Sequence, residues 1–229
     1  MTDLLQQIHS RGYWEVVIRP SRFERRHVED VLDLQKSVER ASVHLRLWDY
    51  PHIDIRRLPE INDDWVGQEF EWEEFLEIWR IYQSGQFFHT FGMTEDWEER
   101  NSRAPGPPRA PGTVLSFRSA VLTFTEIYEF AHRLAMTPAG DFAMFLEIKL
   151  CGLANRTLVN DGPGFPLLPP PVTQAEQFTW KKQLSSPDLM AGAWDLALEP
   201  AADLFRRFGK EFSVSILRGV QEQLRQFAR

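Results

Sequence analysis

His52 and Asp54 stand two residues apart in the segment Trp48-Asp49-Tyr50-Pro51-His52-Ile53-Asp54. In an extended chain, alternate side chains share a face, so both would point the same way. A carboxylate beside an imidazole orients the ring and raises its basicity, which suits a general base. A metal there would need further ligands from elsewhere. Trp48, Asp49 and Tyr50 add aromatic area next to polar groups, a mixture suited to recognising a ligand or partner. The plainer reading is a loop in which Asp54 caps a turn, His52 is half-buried and the aromatics pack beneath.

Two further clusters contain chemically capable residues. Tyr82-Gln83-Ser84-Gly85-Gln86-Phe87-Phe88-His89 offers amide and hydroxyl groups around a glycine turn, with His89 beyond it. Gln83, Ser84, Gln86 and His89 are candidate binding residues, or simply a turn whose side chains bond backbone. Glu147-Ile148-Lys149 on an apolar strand is similar to restriction-endonuclease-like nucleases. There a Glu and an upstream Asp bind a metal, and the Lys stabilises charge on the attacking water or phosphate. Asp141 is the upstream acid here, but it falls on the same predicted strand, so Glu126 or Glu129 of the preceding helix would have to assist. An amphipathic strand end explains the triplet equally.

Other chemistries have no foothold. The chain lacks a Gly-x-Ser-x-Gly elbow, a Walker A loop and Gly-x-Gly-x-x-Gly. Its one cysteine, Cys151, makes neither an internal disulfide nor a multi-thiolate zinc site, and reads as structural. No metal or cofactor is expected.

Composition sets the frame. Of 229 residues, 43% are hydrophobic and 26% charged, with 26 Lys+Arg against 33 Asp+Glu, so broad nucleic-acid binding is disfavoured. No apolar run approaches the roughly 20 residues of a membrane span, and the N-terminus does not read as a signal peptide, so a cytoplasmic location is expected. Between Glu60 and Glu99 there are 12 acids and one base, Arg80. That block reads as a solvated face, or as a docking face for a basic partner. The segment after Arg206 is basic. The aromatic load of 17 Phe, 8 Trp and 4 Tyr is the unusual feature.

The elements follow from periodicity. Helices are predicted over 2–10, 27–40, 72–83 and 123–136, with others after Ser186-Pro187 and Glu199-Pro200 and an amphipathic one from Val214 to Phe227. Strands are predicted over 13–19, 42–47, 65–70, 86–93, 113–120, 141–150, 157–159 and 178–182. The first two strands, joined through a helix, fit a crossover unit. Proline-rich stretches near 101–112 and 162–171 read as surface loops. The expected fold is a single domain over 1–229, α+β or α/β, with a mixed sheet covered by amphipathic helices and a helical C-terminus. Trp14, Phe75, Trp79, Phe124 and Phe227 fall at core positions. Trp48, Tyr50 and Phe87 or Phe88 are left beside turns.

Gly12-Tyr13-Trp14, Val17-Ile18-Arg19-Pro20, Arg22-Phe23, Trp48 to Asp54, Gln68-Glu69, Trp79 to Phe87 and Thr125 to Phe130 together resemble an uncharacterised bacterial family. Related segments occur beside Schlafen-type domains associated with DNA binding. The resemblance covers about 10–150, implies a role in bacterial regulation or defence, and transfers no site residue. The leading expectation is a non-enzymatic interaction or sensor module. It would use Trp48, Asp49, Tyr50, His52, Asp54, Gln83, Ser84, Gln86 and His89 to bind a protein partner or small ligand. The alternative is a metal-dependent nuclease or phosphoester hydrolase built on Glu147, Lys149, Asp141 and Glu126.

Overall fold

A computed structural model describes residues 3–46, 48–101, 109–161 and 167–224. The chain folds as an α+β protein around a seven-stranded sheet of order β2-β3-β4-β5-β1-β7-β9. Its strands are β1 (Tyr13–Pro20), β2 (Glu60–Ile61), β3 (Trp65–Trp72), β4 (Phe75–Tyr82), β5 (Phe87–Gly92), β7 (Ala143–Cys151) and β9 (Gln177–Ser185). Every neighbouring pair in the sheet is antiparallel. A separate parallel pair joins β6 (Val114–Ser116) to β8 (Thr157–Val159). The helices are α1 (Asp3–His9), α2 (Val31–Ala41), α3 (Phe117–Ala135), α4 (Ser186–Leu196), α5 (Leu198–Arg206) and α6 (Val214–Glu222). Among the described residues, no helix is long and apolar enough to cross a membrane.

Alternation in β1 sends Trp14, Val16 and Ile18 inward, as its pattern predicts. The register continues that inner row through Phe87, His89 and Phe91 of β5 and Leu146, Ile148 and Leu150 of β7. The 19-residue helix α3 lies against this face, starting where Ser116 accepts a bond from the Ser119 N–H at 2.9 Å. Helices α2, α4, α5 and α6 contact α3 in turn, so α3 is buried along most of its circumference. On the outer face, α1 seats Ile8 against Leu76, Ile78 and Trp97.

Four expected elements differ. The predicted helix over 72–83 is strand β4, in a hairpin with β3 whose turn holds Glu73 at φ 50°. Its apolar residues satisfy a helical period, but they also suit a strand covered on both faces, by α1 outside and α2 inside. Ile78, Trp79, Ile81 and Tyr82 are strand-favouring types, and pairing with β3 and β5 decides the matter. The predicted strand over 42–47 reduces to one bridge, Val43 to Tyr50, so no β–helix–β crossover forms; Leu47 lies outside the described residues. The strand expected over 113–120 stops at Ser116, whose hydroxyl caps α3. Asp141 precedes β7 rather than belonging to it. Of the proline-rich stretches, 102–108 and 162–166 lie outside the described residues, as does Phe227.

The β4–β5 turn permits a clean test. Gly85 has φ +78°, and an added Cβ would sit 2.6 Å from the Ala139 carbonyl oxygen and 2.9 Å from Pro20 Cγ. Gly112 has φ +77° with nothing within 4 Å. Gly85→Ala is expected to cost about 2–3 kcal/mol and Gly112→Ala about 1 kcal/mol in urea unfolding, the difference being the clash.

Candidate functional site

A cavity of about 390 Å³ lies between the inner sheet face and the N-terminal half of α3. That volume is within the range of small-molecule sites. The sheet contributes Trp14, Glu77, His89 and Phe91, and α3 contributes Arg118, Ser119 and Glu126. The third wall is the loop Arg46, Trp48, Asp49 and Tyr50. Two bonds fix that loop: Val43 and Tyr50 exchange backbone hydrogen bonds of 2.8 and 2.9 Å. The Trp48 ring stacks on His52 and on Phe75, each at 4.1 Å between centroids.

Glu77 is the polar centre. It sits on the inner face of β4, 4% exposed. Its Oε1 accepts from the Trp48 indole N–H at 2.7 Å. Its Oε2 accepts from the His52 backbone N–H at 3.1 Å and pairs with His89 Nε2 at 2.9 Å. Burial alone would push this carboxyl up, but the bonds from His89, Trp48 and His52 together hold it below the usual carboxylate range. An ionised carboxylate only accepts, so the His89 proton facing it is on Nε2.

Other carboxylates close the cavity. Glu126 on α3 takes both Nε (2.8 Å) and Nη2 of Arg46. Glu95 accepts from the Ser116 N–H at 2.8 Å, and the Ser116 hydroxyl donates to Asp161 at 2.6 Å. Burial lifts Glu95 above the ordinary range despite the Ser116 bond, and lifts Glu126 despite Arg46. Burial raises the Tyr50 phenol as well, with Glu126 and Glu77 adding to the effect.

Several polar atoms here have no partner among the described residues. Tyr50 Oη, His89 Nδ1, Glu74 Oε2 and Arg118 Nε are all shielded from solvent, and all four residues line the cavity. Tyr50 is 5% and His89 1% exposed. Buried polar groups are normally satisfied, so four unmet ones around one cavity mark it as a place built to meet a polar molecule.

The structure divides the sequence candidates. Trp48, Asp49, Tyr50 and His89 meet at the cavity. His52 packs beneath Trp48 and Phe70. Asp54 turns away to accept from Arg56 N at 2.9 Å, so no His52–Asp54 bond forms. Gln83, Ser84 and Gln86 stay at the β4–β5 turn, at the opposite end of these strands. There Gln83 donates to the Glu29 carbonyl at 2.8 Å and Ser84 Oγ accepts from Gln86 N at 3.4 Å.

Asp141, Glu147, Lys149 and Glu126 are not brought together. Glu147 and Lys149 project from the outer face of β7, where Lys149 pairs with Glu15 at 2.6 Å and Lys181 with Glu147 at 3.1 Å. Glu126 is on α3 against the inner face, and Asp141 binds the Phe142 N–H at 2.6 Å. Among the described residues, no group of three or more His, Cys, Asp or Glu is arranged to hold a metal.

Sequence reasoning missed Glu77, Glu95, Arg46, Arg118, Phe75 and Phe91 as cavity residues. Glu77, Glu95 and Asp96 also correct the reading of the acidic block as a solvated face, because all three are buried. The usable signal was a single carboxylate in the inward row Phe75, Glu77, Trp79, Ile81, visible only at a period of two. Comparison with models of known families, with curated proteins and with solved structures found no match.

Proposed function

We propose that the protein is a non-enzymatic ligand-recognition or sensor module, in which the cavity between β4–β5 and α3 holds a small molecule. The observation that carries this reading is the convergence of unmet, buried polar atoms, Tyr50 Oη and His89 Nδ1 foremost, on an apolar-walled cavity. A binding role fits because Glu77 is already engaged with Trp48, His52 and His89, and so acts as a fixed scaffold. Occupancy would press on the loop from Arg46 to Tyr50, which gives a protein partner a surface that responds to ligand. The family resemblance adds bacterial regulation or defence as the setting, in the cytoplasm.

Ser119 lines the cavity, and no hydrogen bond of its hydroxyl is part of the site, so Ser119→Trp should plug the space while keeping the α3 cap, which uses only its backbone N–H. Native mass spectrometry of the full chain after incubation with a small-molecule extract is expected to reveal a retained ligand. Ser119→Trp, with an unchanged circular-dichroism spectrum and melting temperature, is expected to retain none. Equal retention by both proteins, or none by either, overturns the assignment. Trp48→Ala offers a second check, since it removes a cavity wall without filling it.

A further inference from the structure

The charge of the cavity identifies what it takes, an inference that rests on the cavity being the ligand site. Six carboxylates line it: Asp49, Glu74, Glu77, Glu95, Glu126 and Asp161. Two bases, Arg46 and Arg118, accompany them. Arg46 is committed to Glu126 through both of its facing nitrogens. Setting Arg118 against any one further acid still leaves four carboxylates around about 390 Å³. A cleft with low-dielectric walls focuses such a field, so its interior is strongly negative.

Of the four unmet atoms, Arg118 Nε is a donor, Tyr50 Oη can donate or accept, and Glu74 Oε2 is an acceptor. Glu74 Oε1 already accepts from Asn101 at 2.7 Å, while Oε2, shielded from solvent, accepts from nothing among the described residues. That Glu74 oxygen calls for a donor. The walls from Trp14, Phe75 and Phe91 suit hydrocarbon. An anion would have Arg118 alone to meet, against that surplus of acids.

We propose that the cavity binds an organic cation, an ammonium or guanidinium group carried on an apolar body.

The test is calorimetric titration of the full chain, at low salt, with three probes of one shape: choline, its carbon isostere 3,3-dimethylbutan-1-ol, and 3,3-dimethylbutanoate. Choline is expected to bind about tenfold more tightly than the alcohol, and the butanoate not at all. Glu74→Gln is expected to weaken choline about threefold, and Arg118→Gln to strengthen it by a similar factor, since Arg118 repels the cation. Ser119→Trp should abolish binding. Equal affinity for the alcohol, preference for the butanoate, or weaker choline binding in Arg118→Gln each overturns the cationic assignment. If Ser119→Trp still abolishes binding in those cases, the ligand site stands and only the ligand class falls. Failure of choline to bind at millimolar concentration also overturns the class, and the extract experiment separately decides the site.

Discussion

Asp96→Asn is expected to remove about 3–5 kcal/mol of stability, read from urea unfolding at neutral pH. Asp96 and Arg156 form an ion pair in which each side chain is 1% exposed. Asp96 Oδ1 accepts from Gly112 N and from Arg156 Nη1, both at 2.8 Å, and Oδ2 accepts from Gly12 N at 2.7 Å and from Arg156 Nη2. Arg156 also donates to the Gly152 and Val114 carbonyls at 2.5 and 2.7 Å. One residue pair thus joins the entry to β1, the turn after β5, the approach to β6 and the connection from β7 to β8. Asparagine keeps the shape but leaves the guanidinium buried without its counter-charge, and its amide nitrogen faces donors. The double variant Asp96→Leu/Arg156→Met should recover part of the loss, because it removes both charges together. Burial works against ionisation of Asp96, yet Arg156 and the Gly112 and Gly12 N–H groups hold its carboxyl below the usual range. A depressed folded value means that the contribution is complete above the unfolded value of about 3.9 and is lost as pH falls through the folded one. The variant should therefore lose less stability than the native chain between neutral pH and pH 3.

Glu77→Gln is expected to cost about 3 kcal/mol and to weaken choline binding at least about tenfold. Three donors converge on the Glu77 carboxylate: the Trp48 indole, the His52 backbone and the His89 ring. A glutamine offers one oxygen, so its amide nitrogen must face at least one of these donors. The loop then loses its tie to β4, and the cavity loses its central negative charge. Urea unfolding measures the first effect, and calorimetric titration with choline measures the second. Glu77 shares the depressed pKa of Asp96, so its share of stability also disappears on the acid side, as pH falls through the folded value.

The sequence was readable wherever one periodicity stood alone. β1 alternates cleanly, α2 carries a single apolar stripe from Leu34 to Ala41, and Gly209 ends α5 and its following turn with φ +67°. It misled where two periods fit the same residues. From Trp72 to Gln83 the apolar positions match a helix, and only the flanking partners β3 and β5 select the strand. That choice moves Glu77 from a presumed solvated helix face to the buried side of a sheet. The site was partly legible for a similar reason. Trp48, Asp49 and Tyr50 advertise themselves as a local cluster, and His89 stood in a second one. Their union depends on the Trp48 loop reaching Glu77 and Tyr50 packing against His89, contacts between separate elements with no local signature. Glu95 and Arg118 carried no pattern at all, because their meeting depends on where α3 starts relative to the end of β5.

The central position of β1 has a consequence for how the molecule is made. Val16 faces His89 on one side and Ile148 on the other, so the first strand in this sequence borders partners that emerge much later. Pairings between residues so far apart in the chain are slow to form. On the ribosome β1 can dock with β5 early, but its other edge stays open until β7 appears, with Trp14, Val16 and Ile18 lacking the cover of α3 for much of that time. An unpaired apolar strand edge is what chaperones shield and aggregates recruit. The interval of greatest exposure for β1 is therefore the synthesis of everything between Gly92 and Ala143, after which only β9 remains to be added at the far edge of β7.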